Sequence, residues 1–333
     1  MKETKRINYI DFLKFIGITC IIIAHVGAPD IIAMIRNFDV VLLVILSSVL
    51  AERSIRKYDG GTKSILHYYF HRAKRLLIPT WVFLAFFFVF SFFFEGELRS
   101  VKYYISSFCL TRYGIDYVWV ILIYLYSAFL IPLFRRFKLS FKVCCAVVLV
   151  YLAFEFLYFF SIGANNKILD TTVFYIIPYG SVTFLGFHYT HFSRKNKIIL
   201  TVLFAVIFLL LGVYYWYTTS SLQSVQIAKY PPRLYYLSYG IACSFTLMIL
   251  CERFDLKFFK NRFIVFVSRH SMWIYLWHIL VIKVYEGLQL PQIWVLKLFV
   301  VYGLALLITF LVNLLLDLIE KKRKFGFLKY LRG

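Results

Sequence analysis

A chain of 333 residues that is 62% hydrophobic, with a mean hydropathy of +0.77, stands far above the roughly half-apolar content of soluble domains. That excludes a soluble globular protein and points to an integral membrane one. The formal net charge of +22 would suit a nucleic-acid binder, but the basic residues fall in alternate loops between apolar runs, as topology signals do, so no nucleic-acid partner is expected. Apolar segments and short links use up nearly all the length, which predicts a single membrane domain over 1–333. The opening stretch is long, holds charged groups and lacks a small-x-small exit site, so it is expected to remain as a membrane segment. Six cysteines, with no CxxC pair, read as packing residues and not as a disulfide framework or metal site.

Apolar length, broken at proline, glycine and charge clusters, predicts an all-α fold with about ten transmembrane helices. They run approximately over 8–28, 37–52, 76–95, 117–134, 141–160, 171–189, 197–217, 234–252, 263–285 and 293–317. One set of loops carries the dense basic clusters, among them Arg53 to Arg75, Arg135 to Lys142, Arg194 to Lys197, Arg253 to Arg262 and Lys321 onward. The other set holds only Arg36, Arg99, Lys102, Arg112, Lys167, Lys229 and Arg233. The positive-inside rule then places both termini in the cytoplasm, in a multi-pass protein of the inner (cytoplasmic) membrane.

The first apolar run, Ile7 to Pro29, carries Asp11, Lys14 and His25. A charge at the bilayer centre costs roughly 2.5–3.5 kcal/mol even on the mild insertion scale, so such groups need a reason. Lys14 and His25 are eleven residues apart, which returns to nearly the same helix azimuth about 16 Å further along the axis. One face thus presents a cation near the inner surface and an imidazole near the outer one. Two plainer readings stay open: Lys14 snorkels, paired with Asp11, and His25 hydrogen-bonds a neighbouring helix.

In the second run Asn37 and Asp39 stand at the outer edge, where Asp39 is a candidate to orient or neutralise His25. Ser47 and Ser48, at mid-depth, read as close-packing residues. His71, Arg72, Lys74 and Arg75 precede the third run. They are either a topology signal or, with Lys14 on the same side, a phosphate-binding cluster. Trp119, Tyr124, Tyr126 and Pro132, and the outer run Tyr230 to Arg233, read first as interfacial anchors. In the ninth run Ser271, Tyr275 and His278 share a face at i, i+4 and i+7, and His278 lies toward the outer half, as His25 does. Asp39 is the one further metal-ligating side chain at that depth, so no metal is expected. The outer loops 96–116 and 218–233 are candidates to shape acceptor choice, through Arg112, Asp116, Lys229 and Arg233.

Taken together these segments resemble the membrane acyltransferase-3 family, which includes bacterial O-antigen and exopolysaccharide O-acetyltransferases. Arg6 to Lys14 with His25 is similar to its first-span signature, in which an arginine precedes a histidine with ten residues between. Phe38 to Ser47 resembles its second-span pattern, Arg72 to Pro79 its basic third-span entrance, Trp119 to Pro132 its fourth-span motif, and Ser271 to His278 its late Ser-x-x-x-Tyr-Leu-x-His segment. Two positions depart from the pattern: Lys14 stands where the family has arginine, which turns a bidentate contact into a point charge, and Ser47-Ser48 replaces Ser-Gly. The resemblance implies a multi-helix fold, an acyl-CoA donor, expected to be acetyl-CoA, taken from the cytoplasm, and transfer to a saccharide hydroxyl.

On that reading Lys14, Arg72, Lys74 and Arg75 hold the CoA phosphates. His25 is the general base with Asp39 and His278 beside it, and Ser271, Tyr275 and Trp119 meet the substrate. Two rivals use the same groups differently. A transporter or flippase for an anionic or lipid-linked sugar relays protons through the histidines, and a sensor binds acyl-CoA without turnover.

Overall fold

The computed structural model describes residues 7–58, 60–96, 98–111, 113–137, 139–159, 172–254, 257–322 and 328–332, and Arg6 and Arg112 therefore lie outside them. Among the described residues the regular structure is helical, apart from an isolated bridge between Lys229 and Pro232. The helices are α1 (Asn8–Ala24), α2 (Asp30–Ile35), α3 (Asp39–Ile55), α4 (Thr62–Glu95), α5 (Val101–Phe108), α6 (Trp119–Arg136) and α7 (Phe141–Phe159). They continue with α8 (Val173–His188), α9 (Arg194–Thr219), α10 (Leu234–Arg253), α11 (Arg262–Arg269), α12 (Ser271–Gly287) and α13 (Trp294–Lys322).

Each predicted apolar run overlaps one of these helices or a pair, but α4 begins at Thr62, fourteen residues ahead of the run expected over 76–95, so His71 to Arg75, expected in a loop, lie within the helix. Among the described residues six stretches are long and apolar enough to cross a membrane: Asp30–Ile55, Thr62–Phe94, Trp119–Arg136, Arg194–Thr219, Leu234–Arg253 and Trp294–Lys321. The pair α11 and α12 makes a seventh if it counts as one crossing, and it is not the straight span expected over 263–285, because the chain bends by 78° between the two helices. With 17 and 16 residues, α1 and α8 fall short of the roughly twenty that a straight crossing takes. No residue of α9 is buried, although its sequence is apolar almost throughout. It lays a half-buried face against α10, with Phe208 stacked on Tyr235 at 5.2 Å, and the exposed apolar remainder has lipid as its solvent.

The chain forms two compact units: Met1–Arg36 with Ala73–Trp119 and Phe254–Gly333, and Asn37–Arg72 with Val120–Arg253. In the first, α1 packs against α11, α12, α13 and the 3₁₀ turn Lys257–Lys260. Leu13, Ile18 and Ile22 are buried along it, Phe12 stacks on Phe259 at 4.7 Å, and Thr19 shares a 3.0 Å hydrogen bond with Tyr302 of α13. On the other side of α12, Trp277 meets the edges of Phe83 and Phe86 from α4, at 5.7 and 5.5 Å.

The second unit is built on α3, which is buried from Asp39 to Leu46 and packs against α8 and α10. Close approach is what the small residues provide. A methyl group at Gly186 of α8 would stand 2.8 Å from the Ile45 carbonyl oxygen and 2.8 Å from Ser48 Cβ, and one at Gly240 of α10 would meet Val41 at 2.6 Å. Ser48 turns its hydroxyl back to the Val44 carbonyl at 2.7 Å, so its polarity is absorbed within the helix and its small volume faces the neighbour. Thr183 of α8 donates to Ser127 of α6 at 2.9 Å, tying a further helix to this group.

Gly186→Ala is expected to lower stability by about 1–3 kcal/mol, because the added methyl has backbone and not a flexible side chain in its way. Gly303→Ala on α13, where nothing lies within 4 Å, is expected to raise stability by about 0.5–1 kcal/mol through helix propensity. Thermal unfolding in detergent compares the two, and equal behaviour would contradict the close approach of α8 to α3.

Candidate active site

His25 sits where α1 stops. Gly27 takes a left-handed conformation at φ +74°, which glycine adopts without strain, and Pro29 follows, so the helix cannot continue. The His25 backbone N–H closes the last turn onto Ile22 at 3.0 Å, and the side chain is set at the helix end, beside α12. There its Nδ1 lies 3.1 Å from Nε2 of His278, which is fully buried. The other ring nitrogen of His278, Nδ1, is hydrogen-bonded to the carbonyl oxygen of Tyr275.

This chain of contacts dictates the tautomers. A carbonyl oxygen only accepts, so His278 Nδ1 carries a hydrogen, and in a neutral ring its Nε2 is then an acceptor. His25 Nδ1 must donate to it. The unprotonated nitrogen of a neutral His25 is therefore Nε2, the atom that can take up a proton. Tyr117, in the 3₁₀ turn Asp116–Val118, stands edge-on to the His25 ring with centroids 4.9 Å apart. Tyr275 spends its hydroxyl on the Tyr117 carbonyl. Tyr275, expected to meet substrate, thus supports the histidine pair twice, once through its carbonyl and once through its hydroxyl. Ser271 opens α12 and is separated from His278 by seven residues, about 10 Å along the helix. Trp119 opens α6, two residues beyond Tyr117.

The groups expected at the inner end divide between the two units. Lys14, Lys74 and Arg75 belong to the first and Arg72 to the second, the boundary falling between Arg72 and Ala73 of α4. Lys14 is half-buried on α1, Arg75 is exposed, and the Lys74 ammonium lies 5.9 Å from the ring centre of Tyr330. Asp11 accepts a 2.6 Å hydrogen bond from Ser268 of α11. The segment around Tyr330 docks on the start of α12, where His270 Nδ1 is 3.0 Å from the Arg332 carbonyl and the Trp273 indole donates to the Leu331 carbonyl. Arg332 in turn pairs with Asp317 and Glu320 of α13 at 2.7 and 2.8 Å.

Asp39 belongs to the second unit, whereas His25 belongs to the first. Its carboxylate accepts the Val40 backbone N–H at 2.7 Å and faces Lys229 Nζ at 4.0 Å, with Asn37 3.3 Å from the same ammonium. All three side chains are buried. Lys229, expected to project toward an acceptor, is thus an internal cation. Arg233 is likewise engaged, with Glu155 at 3.3 Å and over the ring of Tyr158 at 4.6 Å.

Tyr117 is not among the expected site residues, because an aromatic residue at the start of an apolar run is common at the membrane interface. No signal in the sequence separates the two. The family model described as an acyltransferase domain (acyltransferase-3) matches residues 7–317. No curated protein and no solved structure matches the chain.

Lys229→Met is expected to lower stability by about 3 kcal/mol, since it removes the cation facing a buried carboxylate, and pairing it with Asp39→Asn should recover most of the loss. Unfolding midpoints of the two variants and the double variant test this, and strictly additive losses would contradict a direct pair.

Proposed function

Since the chain belongs to the acyltransferase-3 family, we propose that it is a multi-pass O-acyltransferase of the cytoplasmic membrane, moving an acetyl group from acetyl-CoA to a hydroxyl of a cell-surface or lipid-linked saccharide. The observation that carries the reading is the relay from the Tyr275 carbonyl through His278 to His25, which leaves His25 Nε2 as the proton acceptor. On this reading the chain crosses the membrane about ten times with both termini inside, following its loop charges. The inner end of α1 then faces the cytoplasm and its His25 end the outer half.

The acceptor hydroxyl gives its proton to His25 Nε2 as its oxygen attacks the thioester carbonyl. A C–O bond forms. The tetrahedral intermediate then collapses, the C–S bond breaks, and the CoA sulfur leaves with the proton that His25 returns. The imidazolium formed midway keeps its Nδ1–H donated to His278, whose own Nδ1–H is held by the Tyr275 carbonyl. The ring therefore stays in one orientation throughout the cycle, and His278 acts as a positioning residue. The CoA phosphates are held by Lys14, Arg72, Lys74 and Arg75, with Lys14 about 16 Å from His25 along α1. Lysine at position 14 serves as a point charge and not as a fork. Asp39 supports the outer edge of α3 through Lys229 and is not needed in the proton path.

Thiol release from acetyl-CoA by purified protein, with and without a saccharide acceptor, tests the reading. Release is expected only with acceptor, and a carrier or sensor releases none. His25→Ala should lower the rate by about 10²–10⁴-fold, and full activity in that variant would rule out the base. His278→Ala should lower kcat by about 10–100-fold with little change in the KM for acetyl-CoA, and His278→Gln, whose carbonyl oxygen can accept from His25, should restore part of it. For the whole enzyme, kcat/KM should fall as pH drops, because the base acts only when neutral. Lys14→Ala should raise the KM for acetyl-CoA about tenfold while Lys14→Arg does not.

A further inference from the structure

A cavity of about 370 Å³ in the first unit adjoins the histidine pair. Its lining includes Ser91, Arg99, Tyr103, Tyr117, Lys283 and Glu286. Tyr117 is the shared wall, since the same ring stands 4.9 Å from that of His25, and Ile279, next to His278, lines the cavity as well. Ser91 is seventeen residues beyond Lys74 on the unbroken helix α4, about 25 Å along its axis. The cavity is therefore remote from the basic end assigned to the CoA phosphates. Its volume falls in the range that holds a small ligand, on the order of 300–1,000 Å³.

Among the described residues the lining carries two cations, Arg99 and Lys283, and one carboxylate, Glu286, which accepts from the buried Lys297 ammonium at 2.8 Å while Lys297 also bonds Gln292 at 3.1 Å. Ser91 Oγ is buried with no hydrogen-bond partner among the described residues. Two tyrosines and two cations around a cavity suit a sugar: ring faces stack on the aromatics and an acidic substituent meets the cations.

We propose that this cavity is the acceptor subsite and that it selects a saccharide bearing an anionic group, a carboxylate or a phosphate, through Arg99 and Lys283. The assignment rests on the acyl-transfer reading for its name but not for its test, because binding is measured without turnover. The probes are a uronic acid, a hexose phosphate and the matching neutral hexose, titrated calorimetrically into His25→Ala protein. At least one anionic probe should bind about tenfold or more tightly than the neutral one, the scale of a charge-assisted hydrogen bond. The carboxylate and phosphate arms identify which group is read. The double variant Arg99→Gln, Lys283→Gln should lose that preference, while Arg99→Lys and Lys283→Arg keep most of it with an unchanged unfolding midpoint. In otherwise unaltered enzyme the double variant should raise the KM for the acceptor about tenfold, with the KM for acetyl-CoA unmoved. Equal binding of charged and neutral probes, or a preference that survives in the double variant, overturns the proposal even if thiol release proceeds. Anionic binding that depends on the two cations, without any thiol release, upholds the subsite and removes the transfer reading instead.

Discussion

The hydrogen bond from His25 to His278 is the constraint on which the chemistry depends. Imidazole nitrogens within a membrane protein are costly unless they are placed, and here the placement of three of the four follows from one backbone carbonyl that can only accept. Because Tyr275 fixes His278 and His278 fixes His25, the direction of the whole chain is determined without any charged partner. A carboxylate in place of His278 would also orient the ring, but it would bring an ionised group into the same depth at a much greater desolvation cost. A neutral relay gives orientation with no buried charge in the resting state.

The division of the chain into two units separates this chemistry from a different kind of polarity. In the second unit Asp39 faces Lys229 with Asn37 beside it, and Glu155 pairs with Arg233 and accepts from the Tyr151 hydroxyl. These contacts tie α3 and α7 to the segment that leads into α10. The first unit has internal pairs of its own, Glu286 with Lys297 and Arg332 with Asp317 and Glu320, and adds to them the histidine relay with the cavity beside it.

Much of this was legible in the residues, and the limits have physical causes. The apolar runs announced the helices because a bilayer demands a minimum length, and Lys14, His25 and His278 stood out because ionisable groups inside such runs are expensive. Their partnership could not be read, since His25 and His278 are 253 positions apart and only packing brings them together. The bend at His270 had no proline or glycine to mark it. Lys229 and Arg233 read as outward-facing cations because their place between spans suggests exposure, yet one is buried and both are paired. Lys283 carried a usable signal, a lysine five positions past His278 in the same apolar run. Tyr117 carried none.

The first unit is assembled from three separated pieces of chain, and its two inner contacts on α1, Ser268 to Asp11 and His25 to His278, span 257 and 253 positions. During synthesis the opening helix therefore emerges with a carboxylate, an ammonium and an imidazole whose lasting surroundings are still hundreds of residues from being made. Until α11 and α12 arrive, those groups need water, lipid headgroups or the insertion machinery. Completion of this half is thus late and non-local, in the manner of topologies with high contact order, and interruption of the chain anywhere before α12 leaves α1 without the partners that make its polarity tolerable.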